Sequence, residues 1–145
     1  MQDPLSSLPG YLLRRASASA LTELNQRLAA IDLNHTDVSL LMLIGANPGV
    51  TQSEAARMLG IQRANMVGLI ARIEARGWLL RERVDGRSQA LSLSSAGIGV
   101  LERAWVIVLA FETRLVERVP AELRHHVVPI LRHLWGKSQT ARDLH

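Results

Sequence analysis

The sequence predicts a mainly helical fold with one small β-hairpin, and two neighbouring stretches of the chain carry this prediction. Residues 51–77 contain two short helical patterns separated by Gly60. Residues 78–93 follow as two alternating segments around the pair Asp85-Gly86, which is typical of a hairpin turn. Longer amphipathic patterns flank this unit on both sides. The order of elements indicates a winged helix–turn–helix between N- and C-terminal helical arms.

Length and composition limit the classes of protein to which this chain can belong. The chain has 145 residues, enough for one domain with a real core, and its 48% hydrophobic and 21% charged residues are ordinary for a globular protein. The formal net charge is +4, and Lys137 is the only lysine, so nearly all the positive charge is arginine, which suits phosphate and guanine. The absence of cysteine excludes disulfides, cysteine–zinc sites and thiol-based sensing.

The sequence also predicts no membrane segment and no secretory signal. Arg14-Arg15 is followed by A-S-A-S-A-L-T-E rather than by an apolar run. The longest apolar run, 104–111, is far shorter than the ~20 residues that a spanning helix needs. We therefore expect a cytoplasmic protein.

Two helices are expected before the central unit. The first runs from Tyr11 to Ile31 after Pro9-Gly10, and the second holds an apolar cluster between Leu40 and Ile44. Thr36 is the predicted N-cap of the second helix. The predicted helix–turn–helix then begins at Thr51, which forms a capping box with Glu54.

The second helix of the central unit is predicted from Gln62 to Arg76, with Gly77 as its stop. One face is apolar at i, i+3, i+4 and i+7, and it consists of Met66, Leu69, Ile70 and Ile73. The opposite face is made of small residues, Ala64, Gly68, Ala71 and Ala75, and is flanked by Asn65 and Arg72. Such a face fits a DNA groove, where Asn pairs with an adenine edge and Arg with guanine or phosphate. The alternative is that it packs on another helix.

The predicted hairpin carries Arg81, Arg83 and Arg87, with Arg87 at its tip. Arginine at a hairpin tip suits a narrow minor groove, whose potential is negative. Asp85 is close enough in sequence to orient Arg87 through an ion pair. The alternative is a solvated, charged hairpin with no DNA role.

The C-terminal arm is predicted as a long helix capped by Ser94 and ending near Arg118, followed by a last helix after Val119-Pro120 that is kinked at Pro129. The two arms carry more apolar surface than one small domain can cover. We therefore expect a homodimer with two-fold symmetry, which would present two recognition helices to DNA. The alternative is a monomer whose arms fold on their own core.

Together these motifs resemble the MarR (multiple-antibiotic-resistance) family of winged-helix regulators. The resemblance lies in the helix–turn–helix, in G-W-L-L-R (77–81), in Asp85-Gly86-Arg87 as a D-x-R wing and in L-S-L-S-S-A-G (91–97). It implies a single domain, 1–145, with dimerisation arms at 1–33 and 95–145 and a DNA-binding unit at 36–93. It also implies a ligand-responsive regulator, usually a repressor, on a pseudo-palindromic operator. The alternative is a winged helix that binds another protein.

The resemblance assigns roles to particular residues. The implied DNA-binding residues are Gln62, Arg63, Asn65, Arg72, Arg81, Arg83, Asp85 and Arg87. The early recognition helix departs from the family, since Arg63-Ala64-Asn65 replaces the usual threonine or serine cluster. Members bind small, often aromatic, anionic effectors, here an aromatic carboxylate or an acyl-coenzyme A. The implied effector-binding residues are Tyr11, Arg14, Arg15, His35, Trp105 and Leu109. Trp105 and Leu109 could instead be ordinary dimer core, and the arginines solvated.

Neither an enzyme nor a metal protein is predicted. The sequence has no glycine-rich phosphate loop, nucleophile elbow or H-E-x-x-H motif, so we expect no catalysis and no cofactor. Glu122, His125, His126 and His133 fall near one another but form no closed four-ligand set, and we interpret these histidines as solvated.

Overall fold

The structure is a computed structural model that describes residues 3–86 and 88–136, and it confirms the mainly helical fold with a small antiparallel sheet. Within these residues the helices are α1 (Pro9–Leu28), α2 (His35–Ala46), α3 (Gln52–Leu59), α4 (Arg63–Ala75), α5 (Ser95–Glu117) and α6 (Val127–Trp135). Short 3-10 helices occupy Ala29–Ile31 and Ala121–His126. The strands are β1 (Val50–Thr51), β2 (Leu79–Arg83) and β3 (Gln89–Leu93). Arg87 and Lys137 lie outside the described residues.

The start of α2 differs from the prediction. Asn34, not Thr36, is the N-cap: its side-chain oxygen accepts hydrogen bonds from the Thr36 and Asp37 N–H groups, at 2.9 and 3.0 Å. Asp37 completes a capping box, because its carboxylate accepts from the Asn34 N–H at 3.0 Å. The prediction of a Thr36 cap was wrong because Asn34 offers the same chemistry two residues earlier, where a residue three positions on can reciprocate.

The helix–turn–helix has the predicted termini. Thr51 caps α3, and the Glu54 carboxylate accepts from both the Thr51 N–H and hydroxyl at 2.8 Å. These hydrogen bonds from Thr51 hold the pKa of the exposed Glu54 carboxyl below its ordinary value. Gly60 ends α3 with a φ of 65°, in the left-handed region that glycine tolerates. Gln62 is the N-cap of α4, and Arg76 is its C-cap.

The sheet has the order β1-β3-β2, with both pairings antiparallel. In the wing, Leu79 pairs with Leu93 and Arg83 with Gln89. The connection is therefore longer than the two-residue turn that Asp85-Gly86 suggested, and the Val84 N–H closes it on the Ser88 carbonyl at 3.1 Å. Strand β1 was not predicted, since its two residues pair with β3 only through the tertiary fold.

The core of the DNA-binding unit lies between α2, α4, the sheet and the start of α5. Buried side chains come from each of these elements, and they include Leu40, Leu41, Ile44, Met66, Ile70, Ile73, Leu91 and Ala104. The start of α5 lies against Gly77 and Trp78, immediately before β2. Ser94 caps that helix as predicted, accepting from the Gly97 N–H at 3.1 Å, and the Ser94 N–H donates to the Trp78 carbonyl at 3.0 Å.

The chain divides into two compact units, Met1–Val108 and Leu109–His145. The second unit contains the end of α5, the 3-10 helix and α6. Pro129 does not kink a long helix as predicted: it lies in the first turn of α6, where its missing N–H leaves no intrahelical hydrogen bond unmade. Across residues 3–86 and 88–136, no single helix has the length and apolarity to cross a membrane, and only one sharply bent helix pair passes that test by length and composition.

Candidate nucleic-acid interface

Helix α4 presents two opposed faces, as predicted. Met66, Leu69, Ile70 and Ile73 are buried in the core. The opposite face is exposed, and it consists of Ala64, Asn65, Gly68, Ala71, Arg72 and Ala75. At Gly68 a Cβ atom would meet nothing within 4 Å, so the helix backbone is open to close approach by another surface.

A groove of about 930 Å³ runs along this exposed face. It is lined by the α3–α4 turn, the first three turns of α4 and the N-terminus of α2, through Asn34, Thr36, Gly60, Ile61, Gln62, Ala64, Asn65, Gly68, Leu69 and Arg72. The predicted groove-facing residues Gln62, Asn65 and Arg72 thus share one surface. Arg63 is exposed at the first position of α4.

Arg72 is held by a partner that the sequence analysis did not identify. Its guanidinium forms an ion pair with the carboxylate of Asp37, which is only 3% exposed. One turn further along α4, Arg76 donates to the Asp32 carbonyl at 2.7 Å and to its carboxylate at 3.0 Å, and lies 3.9 Å from the centroid of the Trp78 ring. Arg72 in α4 therefore contacts the first turn of α2, and Arg76 at the C-cap of α4 contacts the α1–α2 junction.

The wing carries arginines in two different environments. Arg81 forms an ion pair with Glu74 of α4 at 2.6 Å and donates to Gln89 at 3.1 Å, so it joins the wing to α4. Arg83 is exposed, and among residues 3–86 and 88–136 it has no ion-pair partner. Asp85 accepts from the Ser88 N–H at 2.8 Å and so shapes the tip.

Two acidic residues that the sequence did not single out each form an ion pair with an arginine: Asp37 with Arg72, and Glu74 with Arg81. Asp37 had a sequence signal, because Asn34 and Asp37 have the spacing of a capping box. Glu74 had none, since its partner Arg81 lies across the turn at Gly77. Arg72, Arg76 and Arg81 therefore form ion pairs within the fold, whereas Arg63 and Arg83 are exposed and form none among residues 3–86 and 88–136.

The predicted effector residues fall into four groups. Arg14 and Arg15 lie 5.5 and 5.9 Å from the Tyr11 ring centroid on α1. His35 contacts Asn25 of α1. The Asn25 side-chain oxygen accepts from the His35 backbone N–H at 2.8 Å and lies 3.1 Å from the His35 ring nitrogen Nδ1. Trp105 lines an apolar cleft of about 410 Å³ between α2 and α5, together with Met42, Ala46, Ile98, Leu101 and Glu102. Leu109 is exposed in the second unit.

Two histidines of the second unit are in contact with each other. The rings of His125 and His126 have centroids 3.8 Å apart and are tilted by 40°. In the part of the chain that the structure describes, no three His, Asp or Glu side chains are placed to hold a metal ion.

Comparison with known proteins agrees with this architecture. A sequence model of the MarR family matches residues 31–88. The chain is 27% identical, over 77% of its length and 82% of the relative's, to the HTH-type transcriptional repressor Rv2887 of Mycobacterium tuberculosis strain H37Rv. A structure of that family protein in complex with salicylic acid superposes with a TM-score of 0.72 at 25% identity, covering 89% of this chain and 97% of that one.

Structures of the transcriptional repressor CouR are similar over almost the whole chain. CouR bound to a 23-mer DNA duplex has a TM-score of 0.85 and 32% identity, covering 92% of this chain and 99% of that one. CouR bound to p-coumaroyl-CoA has a TM-score of 0.84 and 32% identity, covering 94% and 98%. With the winged helix–turn–helix and its exposed α4 face, these likenesses show that the chain belongs to the MarR family of transcription regulators.

Proposed function

We propose that this protein is a homodimeric, sequence-specific repressor that releases a pseudo-palindromic operator when it binds a small anionic effector, and that it acts in the cytoplasm. The observation that carries the DNA-binding part is the exposed, small-residue face of α4 beside an arginine-bearing wing. Helix α4 would enter the major groove, where Gln62, Arg63 and Asn65 would read or hold the duplex. Arg83, with Asp85 and Arg87 at the tip, would place the wing against the neighbouring backbone or minor groove.

Exposed apolar side chains support the homodimer. They lie in the N-terminal segment and α1 (Leu5, Leu8, Leu12, Leu13) and in the second unit (Leu123, Val128, Ile130, Leu131, Leu134, Trp135). A single chain leaves these large groups in water, and burial against a second copy would remove that cost. A two-fold dimer would also place two recognition helices about one helical turn, ~34–36 Å, apart on DNA.

The effector proposal is supported by the relatives and by two features of this chain. CouR has been seen with p-coumaroyl-CoA and Rv2887 with salicylic acid, both of which join an aromatic ring to a negative charge. The cleft beside Trp105 suits an aromatic ring, because its lining is almost wholly apolar. The exposed pair Arg14 and Arg15 beside Tyr11 suits a carboxylate or phosphate.

Two substitutions should separate base reading from backbone contact. Asn65→Ala should cost about 1–3 kcal/mol at one base pair of each half-site and little elsewhere, because an asparagine side chain reads one adenine edge. Arg83→Ala should weaken binding to all duplexes about equally and lower the salt dependence by about one phosphate contact. Competition titrations with operators altered one base pair at a time check both.

Uniform losses from both variants would show that α4 does not read bases directly. No DNA binding by the ligand-free wild-type protein would favour a winged helix that binds another protein.

The effector should lower operator affinity by about 5–150-fold, the range of common allosteric couplings. Calorimetry with aromatic acids and their coenzyme A thioesters would identify the ligand. Trp105→Ala and Arg15→Ala should then reduce both the heat of binding and the release of DNA. If the ligand releases DNA equally well from Trp105→Ala, Arg14→Ala and Arg15→Ala proteins, the proposed residues do not form the effector site.

A further inference from the structure

We propose that Asp37 is a positioning residue for operator recognition: it fixes the guanidinium of Arg72 at the edge of the α4 groove and thereby sets which base pair Arg72 reads. The proposal rests on the proposed function, since it requires that α4 enter a DNA groove. It assigns a role in specificity to a buried residue of α2 that cannot itself touch DNA.

The Asp37 carboxylate is itself held rigidly. It is buried, and its Oδ2 atom accepts from the Asn34 N–H at 3.0 Å. The Asp37 N–H in turn donates to the Asn34 side chain at 3.0 Å. Its Oδ1 atom accepts from Nη2 of Arg72. The carboxylate is therefore fixed by the start of α2 on one side and presents one oxygen to α4 on the other.

A carboxylate buried in this way requires a compensating cation, because taking an unpaired charge out of water is costly. Arg72 supplies that charge, although it lies 35 residues away in the sequence. The arginine side chain itself remains 52% exposed and lines the groove that Asn65 also lines. The contact with Asp37 uses Nη2 of the guanidinium, which leaves its other N–H donors for a ligand in the groove.

This arrangement prepares Arg72 for a directional contact. A free arginine on a surface helix loses rotamer freedom when it binds a base, and this loss weakens the contact. Arg72 has already lost much of that freedom to Asp37. Because a forked guanidinium reads guanine only in one orientation, fixing that orientation also fixes which base edge is read.

Arg76, the C-cap of α4, can be compared with Arg72. Like Arg72 it forms an ion pair with an aspartate, here Asp32 of the α1–α2 junction, and it packs on Trp78. Unlike Arg72, it does not line the groove along α4. Its removal should therefore loosen the attachment of α4 without altering the reading of any one base pair.

The experiment is a double-mutant cycle read out as base preference. Operators altered at one base pair at a time are titrated with wild type, Asp37→Asn, Arg72→Ala and the double variant. We expect each single variant to lose about tenfold discrimination at the same base pair of each half-site, within the range for one good base contact. The double variant should lose no more than Arg72→Ala alone, because the two residues act as one unit.

One control variant and one further substitution make the test decisive. Arg76→Ala should lower the melting temperature but leave the base preference unchanged, because Arg76 does not line the groove along α4. If Asp37→Asn does not fold, Asp37→Glu retains the charge and the capping-box chemistry while displacing the carboxylate. It should still weaken discrimination at that base pair.

Full discrimination by Asp37→Asn and Asp37→Glu would overturn the proposal, and so would losses that add to that of Arg72→Ala. In either case Asp37 would only cap α2. A wild-type protein that binds no duplex would instead overturn the proposed function, which is a distinguishable result.

Discussion

Replacing Gly97 with alanine should lower the free energy of unfolding by about 1–3 kcal/mol, the usual cost of forcing extra volume into a packed site. A Cβ atom on Gly97 would lie 2.2 Å from the Trp78 carbonyl oxygen, a backbone atom. That oxygen also accepts from the Ser94 N–H at 3.0 Å, so moving it away would disturb the cap of α5. Equilibrium unfolding in urea measures the change.

Gly99→Ala is the matched control, two residues further along the same helix. A Cβ atom there would meet nothing within 4 Å. Alanine should therefore raise the free energy of unfolding by about 0.5–1 kcal/mol, since glycine is costly inside a helix. Equal stability of the two variants would show that α5 does not approach Trp78 as closely as the structure places it.

Leu131→Glu should abolish the dimer and lower operator affinity by about a hundredfold or more. Leu131 is 46% exposed on α6, next to the exposed Ile130 and close to the exposed Leu134. A carboxylate in an apolar interface costs far more than it would on a free surface. Loss of the second DNA-binding unit removes the gain of bivalent binding, which is about 10²–10⁴-fold. Sedimentation equilibrium and operator titration measure the two effects.

Leu131→Met is the control at the same position, because it nearly conserves volume and apolarity. It should leave both the mass and the affinity unchanged. A Leu131→Glu protein that stays dimeric with wild-type affinity would remove this part of α6 from the interface. A wild-type protein that is monomeric would favour the alternative in which the arms serve only their own chain.

The helix–turn–helix could be predicted because its signals are local. Thr51 and Glu54 are three residues apart, and Gly60 supplies the left-handed residue that ends α3. The apolar spacing from Met66 to Ile73 fixes which side of α4 is buried, and therefore which side is exposed. Each of these features needs only a few consecutive residues.

Features that depend on tertiary contacts or on competing local signals could not be predicted. Asn34 and Thr36 are both good caps, and the choice between them depends on Asp37. The ion pair between Asp37 and Arg72 joins helices 35 residues apart in the sequence, and no local pattern specifies it. Pro129 predicts a kink in the last helix, but the sequence alone did not show that α6 begins at Val127 and so has Pro129 in its first turn.

The effector site has no local sequence signal, for a physical reason. Its residues were assigned from a resemblance; in the structure Arg14 lies beside Tyr11 on α1, and Trp105 lines a cleft with other residues. A ligand site depends on how distant segments converge, which composition and periodicity do not determine.

The salt dependence of operator binding tests the proposed DNA-binding function. A duplex selected from a random library by the ligand-free protein is labelled and titrated at salt concentrations from about 50 to 200 mM. We expect two chains per duplex and, for about 6–10 phosphate contacts, a loss of about 10³–10⁵-fold in affinity over that range. Selection of no duplex, or an affinity independent of salt, would contradict the proposed DNA-binding function.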